Sequence, residues 1–418
     1  MAKFLVEGNK KLSGKIHVAG NKNSVLPLMA ACILTAETCV IENVPAISDV
    51  STMAKLMEIC GAKIQGVGTS TLTINCREIK AAPLPSELTQ KLRASVLLVA
   101  PLVSRVGEVT MGYPGGDVIG RRPLDAHFQI LEAMGAKIKS SHESFKVTAQ
   151  KFTPGEIFLM ESSVTATENA IMAASCANGE TVIKRAASEP HVVDLCNFLC
   201  KMGAKVEGIG TNVLKITGAE TLLAAVHAVR PDHIEVGTFA ILGAIACEKL
   251  EIAPVIKEDL DMILLTLSKF NVNYKLAGDK LTITSGKLKA VEKVVTDVWP
   301  GFPTDLMAPM IVLATQAEGV TILHDWMYES RMFFVDKLLS MGAKVEIADP
   351  HRVFVYGPTK LHGRKLDTPD IRAGIALVIA ALAADGKSEI ANSELIERGY
   401  ENIAERLSEI GAVIKKSA

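Results

Sequence analysis

No two of the eight cysteines are spaced as CxxC, and none clusters with histidine. A structural zinc site and a disulfide framework are therefore not expected. Cys196 and Cys200 stand one helical turn apart, a spacing commonly shown by small buried hydrophobes. The nine histidines form no ligand pattern either, and neither a metal nor a cofactor is expected. Bulk charge is missing as well: 45 Lys and Arg against 46 Asp and Glu leave a net charge of -1. No overall field draws the chain to nucleic acid or an acidic membrane, so small molecules are the expected partners. No apolar run reaches the roughly 20 residues that span a bilayer. The longest, AGIALVIAALAA at 373 to 384, is well short of that, and MAKFLVEGNKKLSG at the start has no signal-peptide core or cleavage site. A cytoplasmic protein without membrane insertion is expected. What is present is 418 residues, 49% hydrophobic and 22% charged, enough for two or three domains with their own cores.

The strongest signal is repetition. LMEICGAKI, LEAMGAKI, CKMGAKV, LLSMGAKV and LSEIGAVI, with a degraded copy LSKFNVNY, recur at intervals of about 70 residues. Gly61, Gly135, Gly203, Asn271, Gly342 and Gly411 mark them. Each marker ends a helix where a left-handed cap is wanted and leads into an alternating strand. A second helix recurs too, as in TFAILGAIACEKLEIAPV and GIALVIAALAADGKSEIAN. It is apolar on nearly every face, so it must be buried on nearly every face. This predicts an α/β chain of two lobes, each wrapping three repeated units round internal helices. The sixth unit lacks a strand pair, and FLVEGNKKLSGKIHVAG fits what is missing. The expected domains are therefore 22–230, and 1–21 with 231–418.

Polar residues gather just before each internal helix, in AGNKNSVLP, LTQKLRASV, SSVTATENA, RPDHIEVGT, GFPTDLMAP and DTPDIRAGI. Capping accounts for Ser163, Thr304 and Thr368 as well as any function does. It does not account for Lys22, Arg93 and Arg372, because cations near a helix N-terminus oppose its dipole unless an anion intervenes. An anionic ligand is the expected reason. Further cations, Arg122, Arg331 and Arg398, lie in GRRPLDAH, YESRMF and ERGYEN. The stretch YPGGDVIGRRP, with Asp117 among its glycines, is legible either as a turn or as a mobile reactive loop.

Taken in order, GNKNSVLP, KLRASV, PGGDVIGRRPLDAH, SVTATENAIMAA, SEPHVVDL, RPDHIEVGTF, FPTDLMA, ESRM, DIRAG and RGYENI resemble the enolpyruvyl transferases, in particular those acting on UDP-N-acetylglucosamine. The resemblance runs essentially end to end. It implies two inside-out α/β domains, each with three-fold internal symmetry, and an active site in the interdomain cleft. It also implies transfer of enolpyruvyl from phosphoenolpyruvate to the sugar 3-hydroxyl, opening peptidoglycan synthesis. By motif, Lys22 and Asn23 would contact phosphoenolpyruvate, with Arg122 and Arg398 clamping its charged ends. Arg93, Arg122, Pro123, Leu124, Asp125 and Ala126 would hold the UDP-sugar with Ser163, Val164, Thr165 and Met327. Asp305 would receive the hydroxyl proton, and Arg331, Asp370 and Arg372 complete the set.

The loop 112–122 would be a lid. Its Asp117 stands where this family usually has a cysteine that donates a proton and is alkylated by fosfomycin. A carboxyl group, ordinarily titrating near about 3.9, must be held protonated by burial or an adjacent anion to take that role. A carboxylate would form at best a labile ester with the drug, so insensitivity is expected. Glu161 and Thr165 also depart from the lysine and glycine that some members carry in this segment. The rivals are the shikimate-pathway enolpyruvyl transferase and a non-catalytic sensor of UDP-sugars. Retention of Asp117, Asp305, Lys22, Arg122 and Arg398 together argues against the sensor.

Overall fold

Every repeat writes the same path through space. The computed structural model describes residues 2–417, which form five four-stranded sheets and one three-stranded sheet. In the first repeat, the internal helix Lys22–Ala31 runs into strand Thr38–Glu42, then the outer helix Ser48–Ile59, then the hairpin Lys63–Gln65 and Thr71–Asn75. The second hairpin strand folds back between the other two, giving antiparallel ladders on both sides.

The marker glycines serve the turn between outer helix and hairpin. Gly61 has φ +97, and a Cβ there would sit 2.4 Å from the Glu78 carbonyl oxygen, so the position excludes a side chain on two counts. In the degraded copy Asn271 takes the same left-handed region at φ 61. Asparagine tolerates it better than any β-branched residue would.

Contacts divide the chain into two compact units, one of Gly20–Gly116 and Arg122–Arg230, the other of the residues through Ala19, Asp117–Arg121 and Pro231 onward. Each closes on itself by handing strands round a ring. In the first unit Glu156–Phe158 pairs in parallel with Glu180–Lys184, and Val226–Ala228 returns to Thr38–Glu42. In the second, Lys293–Val295 pairs with Gly319–His324, Lys365–Asp367 with Lys387–Ala391, and Leu12–His17 with Cys247–Ala253. The N-terminal segment expected to complete the sixth unit is thereby shared out. Lys3–Glu7 lies antiparallel between Lys387–Ala391 and Val413–Ser417, whereas Leu12–His17 belongs to the fourth unit's sheet.

The internal helices pack against one another inside these rings. Twelve residues of His233–Ala246 and twelve of Ile371–Ala383 are buried. Close approach demands small residues: a Cβ on Gly237 would meet Leu306 Cδ1 at 2.5 Å. One expected helix is not continuous, since Arg93–Leu98 is a 3₁₀ segment that only then becomes the α-helix Val99–Val106.

One buried ion pair fixes the end of the N-terminal segment. Arg406 holds Glu235 at 2.6 and 3.0 Å, Glu235 also accepts from the Ala19 amide at 2.7 Å, and Arg406 donates to the His17 carbonyl. The Glu235 side chain is 2% exposed. Removing the cation would leave a carboxylate buried without its counter-charge, so Arg406→Ala is expected to cost about 3 kcal/mol. A urea titration followed by circular dichroism, with a lowered midpoint and an unchanged slope, checks this.

Candidate active site

In the unit containing residues 122–230, the side chains expected at a site sit where helices begin. Asn21 caps Lys22–Ala31, accepting from the amides of Asn23 at 2.7 Å and Ser24 at 3.3 Å. Lys22, in the first turn, reaches Asp49 Oδ2 at 2.8 Å, and both side chains are largely enclosed. Arg93 donates to the Pro123 carbonyl at 3.0 Å. That bond ties the start of the 3₁₀ segment to the chain beyond the glycine-rich stretch. The near end of that stretch is pinned in turn, because the amides of Gly115 and Gly116 donate to Thr89 and Gln90 carbonyls, each at 3.1 Å. A Cβ on Gly115 would lie 1.9 Å from the Gln90 oxygen.

Arg122 is half-buried while Arg121 is exposed. Asp125 opens the helix Asp125–Ala133, and Ala126 and Leu124 are buried under it. Ser163 stands at the N-cap of Val164–Ser175 without a side-chain bond to the helix. Thr165 is instead held by His127, 3.0 Å from Nε2. The Asn169 amide nitrogen approaches His127 Nδ1 at 3.1 Å, while its oxygen accepts from the Ala100 amide. This makes Nδ1 an acceptor and Nε2 the protonated nitrogen. Burial, then Arg93, pushes the His127 imidazolium down to about 3, so the ring is neutral and structural, 1% exposed.

Deeper in the same unit, Glu168 is 1% exposed and its Oε1 has no partner. Burial, then Glu189, raises its carboxyl well above the usual range, and burial pushes Glu189, which keeps some exposed surface, up to about 7. Both carboxyls bind protons more tightly folded than unfolded. Stability is therefore fully present below the unfolded value near 4.5 and falls as pH rises toward 7. Glu189→Gln should flatten that decline, as melting temperatures recorded between pH 4.5 and 7.5 would show.

In the other unit, the carboxylate of Asp305 is the centre. It follows Pro303 in the 3₁₀ turn Thr304–Leu306 that leads into the helix Met307–Gln316. Arg331 reaches Oδ1 at 3.1 Å, and Arg372 reaches Oδ2 through Nε at 3.0 Å and through a terminal nitrogen at 2.8 Å. Both arginine side chains are nearly inaccessible, while Asp305 keeps 27% of its side chain exposed. The burial that opposes charge on Arg331 is overcome by Asp305, Asp370 and Asp325, so it is held firmly protonated.

The framework behind these arginines is also polar. Asp325, fully buried, accepts from Thr296 at 3.2 Å, from Thr304 and from the Met327 amide at 3.0 Å. Asp370 caps Ile371–Ala383 through the amides of Arg372 and Ala373, and burial raises its carboxyl against the pull of Arg331. Asp232 caps His233–Ala246 in the same way.

Arg398 donates to Asp117 Oδ1 at 2.9 Å. The stretch Asp117–Arg121 is anchored beyond it: Ile119 is buried, its carbonyl accepts from the Ser330 amide at 3.0 Å, and Glu329 accepts from the Arg121 amide at 3.0 Å. Val118 is turned outward, 85% exposed. Asp117 in this arrangement is paired with a cation.

Two expectations change on this geometry. Helix caps are needed at the helix starts, but Asn21, Asp232 and Asp370 provide them. Ser163 makes no cap bond, Thr304 bonds Asp325, and the hydroxyl of Thr368 is buried without a partner. The anion expected opposite the misplaced cations is, for Lys22 and Arg372, the chain's own Asp49 and Asp305. Neither partner was visible in the sequence, since only folding brings them together. Asp325 and Tyr400 were missed for the same reason. Tyr400 lies inside RGYENI, but nothing about a tyrosine there announces that its hydroxyl meets Arg372.

Rings of three strand-exchanging sheets about buried helices, with cations and carboxylates at the helix starts, define the class of the enolpyruvyl transferases. The family model described as EPSP synthase (3-phosphoshikimate 1-carboxyvinyltransferase) matches residues 6–407. The chain is 46% identical over 421 residues to a UDP-N-acetylglucosamine 1-carboxyvinyltransferase of Bradyrhizobium diazoefficiens, covering 99% of this chain and 97% of that protein. It is 43% identical to one of the same name from Treponema denticola, with 99% of each covered. Among solved structures, it is similar to the enolpyruvyl transferase NikO from Streptomyces tendae, with a TM-score of 0.90 at 26% identity over 100% of this chain and 99% of that one. The fold is shared with EPSP synthase from Acinetobacter baumannii, with a TM-score of 0.77 at 20% identity and all of both chains covered. The chain belongs to the enolpyruvyl (carboxyvinyl) transferase family and is a transferase. No described helix is long and apolar enough to cross a membrane.

Proposed function

We propose that this enzyme transfers enolpyruvyl from phosphoenolpyruvate to the 3-hydroxyl of UDP-N-acetylglucosamine, releasing phosphate, and so serves the first committed step of peptidoglycan synthesis in the cytoplasm. The observation that carries the reading is similarity at 46% and 43% identity, along nearly the whole chain, to enzymes named for that acceptor. Asp305 receives the hydroxyl proton as the sugar oxygen attacks carbon 2 of phosphoenolpyruvate, and Asp117 protonates carbon 3. The tetrahedral product then loses a proton from carbon 3 and phosphate from carbon 2, restoring the double bond. Lys22, Asn23, Arg122 and Arg398 would bind the anionic donor. Arg93, the run Arg122 to Ala126, Ser163, Val164, Thr165 and Met327 would bind the UDP-sugar. Arg331, Asp370 and Arg372 would orient Asp305.

Phosphate release from phosphoenolpyruvate, assayed with UDP-N-acetylglucosamine beside shikimate 3-phosphate, tests the acceptor. Release with the sugar nucleotide alone is expected. Release only with shikimate 3-phosphate would move the chain to the activity after which the matching family model is named, and release with neither would favour a sensor. The carboxylate at position 117 also supports insensitivity to fosfomycin. The intact mass of the wild-type protein should remain unchanged after incubation with the drug, and a stable adduct would overturn that reading.

A further inference from the structure

Tyr400 is wholly buried, and a buried tyrosine needs a partner for its hydroxyl whatever its role. What separates it from an ordinary core aromatic is which partners it has. Arg372 donates to the Tyr400 oxygen through one terminal nitrogen at 3.1 Å. The same guanidinium turns its other edge, Nε and the second terminal nitrogen, onto Asp305 Oδ2. Its carbon lies 5.5 Å from the centroid of the tyrosine ring. The planar fork of an arginine has five donors in fixed directions, so fixing one edge fixes the other.

The polarity of this chain of bonds is also determined. Thr238 Oγ1 donates to the Ile234 carbonyl at 2.8 Å and lies 2.9 Å from the Tyr400 hydroxyl. With its only proton on Ile234, Thr238 accepts from Tyr400, and Tyr400 in turn accepts from Arg372. Each group has one direction open to it. Burial pushes the Tyr400 hydroxyl up to about 12 against the pull of Arg372, so the proton stays on it under working conditions. The chain begins on the internal helix His233–Ala246, most of which is buried, and ends on Asp305.

We infer that Tyr400 is a positioning residue for the reaction: through Arg372 it sets the plane in which the Asp305 carboxylate is presented. The inference rests on the assignment of Asp305 as the group that receives the acceptor's proton. The Tyr400 hydroxyl meets Arg372 and Thr238, and reaches Asp305 only through Arg372. Its effect should therefore fall on the chemical step and leave substrate binding largely intact.

The variant Tyr400→Phe removes one oxygen and keeps the ring. A misoriented catalytic group costs on the order of 10²-fold, so kcat should fall by about that factor while KM for both substrates changes less than about threefold. The decisive measurement is the same substitution in an Asp305→Asn background, followed as single-turnover phosphate release with enzyme in excess. If Tyr400 acts through Asp305, adding Tyr400→Phe there should slow release no further. An equal loss in both backgrounds would reduce Tyr400 to a packing residue, as would wild-type kcat in the single variant. Thr238→Val, which removes the acceptor for the tyrosine proton, serves as a second probe should Tyr400→Phe fold poorly. It should give a smaller fall in kcat that also vanishes in the Asp305→Asn background, and persistence of that fall would equally overturn the proposal. Failure of the Asp305 assignment itself is separately visible, because Asp305→Asn alone would then retain wild-type release.

Discussion

Replacing Asp305 by alanine should damage the protein twice over, in stability and in rate, and the comparison with Asp305→Asn separates the two. The carboxylate lies against Arg331 and Arg372, whose side chains are 2% and 5% exposed. Their desolvation is offset mainly by this one anion, helped by Asp325, Asp370 and Asp232. Breaking a buried pair by removing one partner costs about 3–5 kcal/mol, because the charges left behind have no solvent to turn to. Asp305 is partly exposed, so water can enter the space that alanine leaves, and the lower end of that range is expected. The asparagine variant keeps an oxygen for one arginine but places an NH₂ against the other, so it relieves only part of the loss. Both variants remove the proposed proton acceptor, and general base catalysis is worth about 10²–10⁴-fold. Activity should therefore be nearly equal in the two variants while stability differs, as denaturation midpoints beside single-turnover rates would show. Matching losses of stability with wild-type rates would mean that Asp305 is only the counter-ion of two arginines.

The sequence revealed the parts of this architecture that repeat and hid the parts that do not. Left-handed turns after each outer helix were legible because glycine, or asparagine at 271, is demanded at the same point of every repeat. Buried helices were legible because a segment such as AGIALVIAALAA has no polar face to offer water. The route of Leu12–His17 to the sheet of Cys247–Ala253 was not, since ring closure depends on the geometry of a whole unit rather than on a local pattern. The site followed the same division. Residue types at helix starts could be read, and Lys22, Arg93 and Arg372 stood out among them. Whether a cation such as Lys22 awaits a ligand or already holds a carboxylate is decided by Asp49, which has no sequence relation to it beyond lying on the next helix. A charge that looks misplaced on one helix is thus evidence for an anion, but gives no indication whether that anion belongs to the chain.

Asp117→Asn should lower the rate of the chemical step by about 10²–10⁴-fold and at the same time tighten the binding of phosphoenolpyruvate. The two effects have opposite directions because Asp117 has two relations to the rest of the site. As a carboxyl group it is the proposed donor to carbon 3, a role the amide cannot fill. As a carboxylate it occupies Arg398 at 2.9 Å, with the side chains 21% and 16% exposed. A substrate anion that needs Arg398 must first displace it. The amide competes for Arg398 only as a neutral hydrogen-bond acceptor, so the variant gives up less when the anion arrives. Titration calorimetry with phosphoenolpyruvate should show a lower Kd for Asp117→Asn than for the wild type. Equal affinities would mean that the Asp117–Arg398 pair persists in the complex, and the proton for carbon 3 would then have to come from another group.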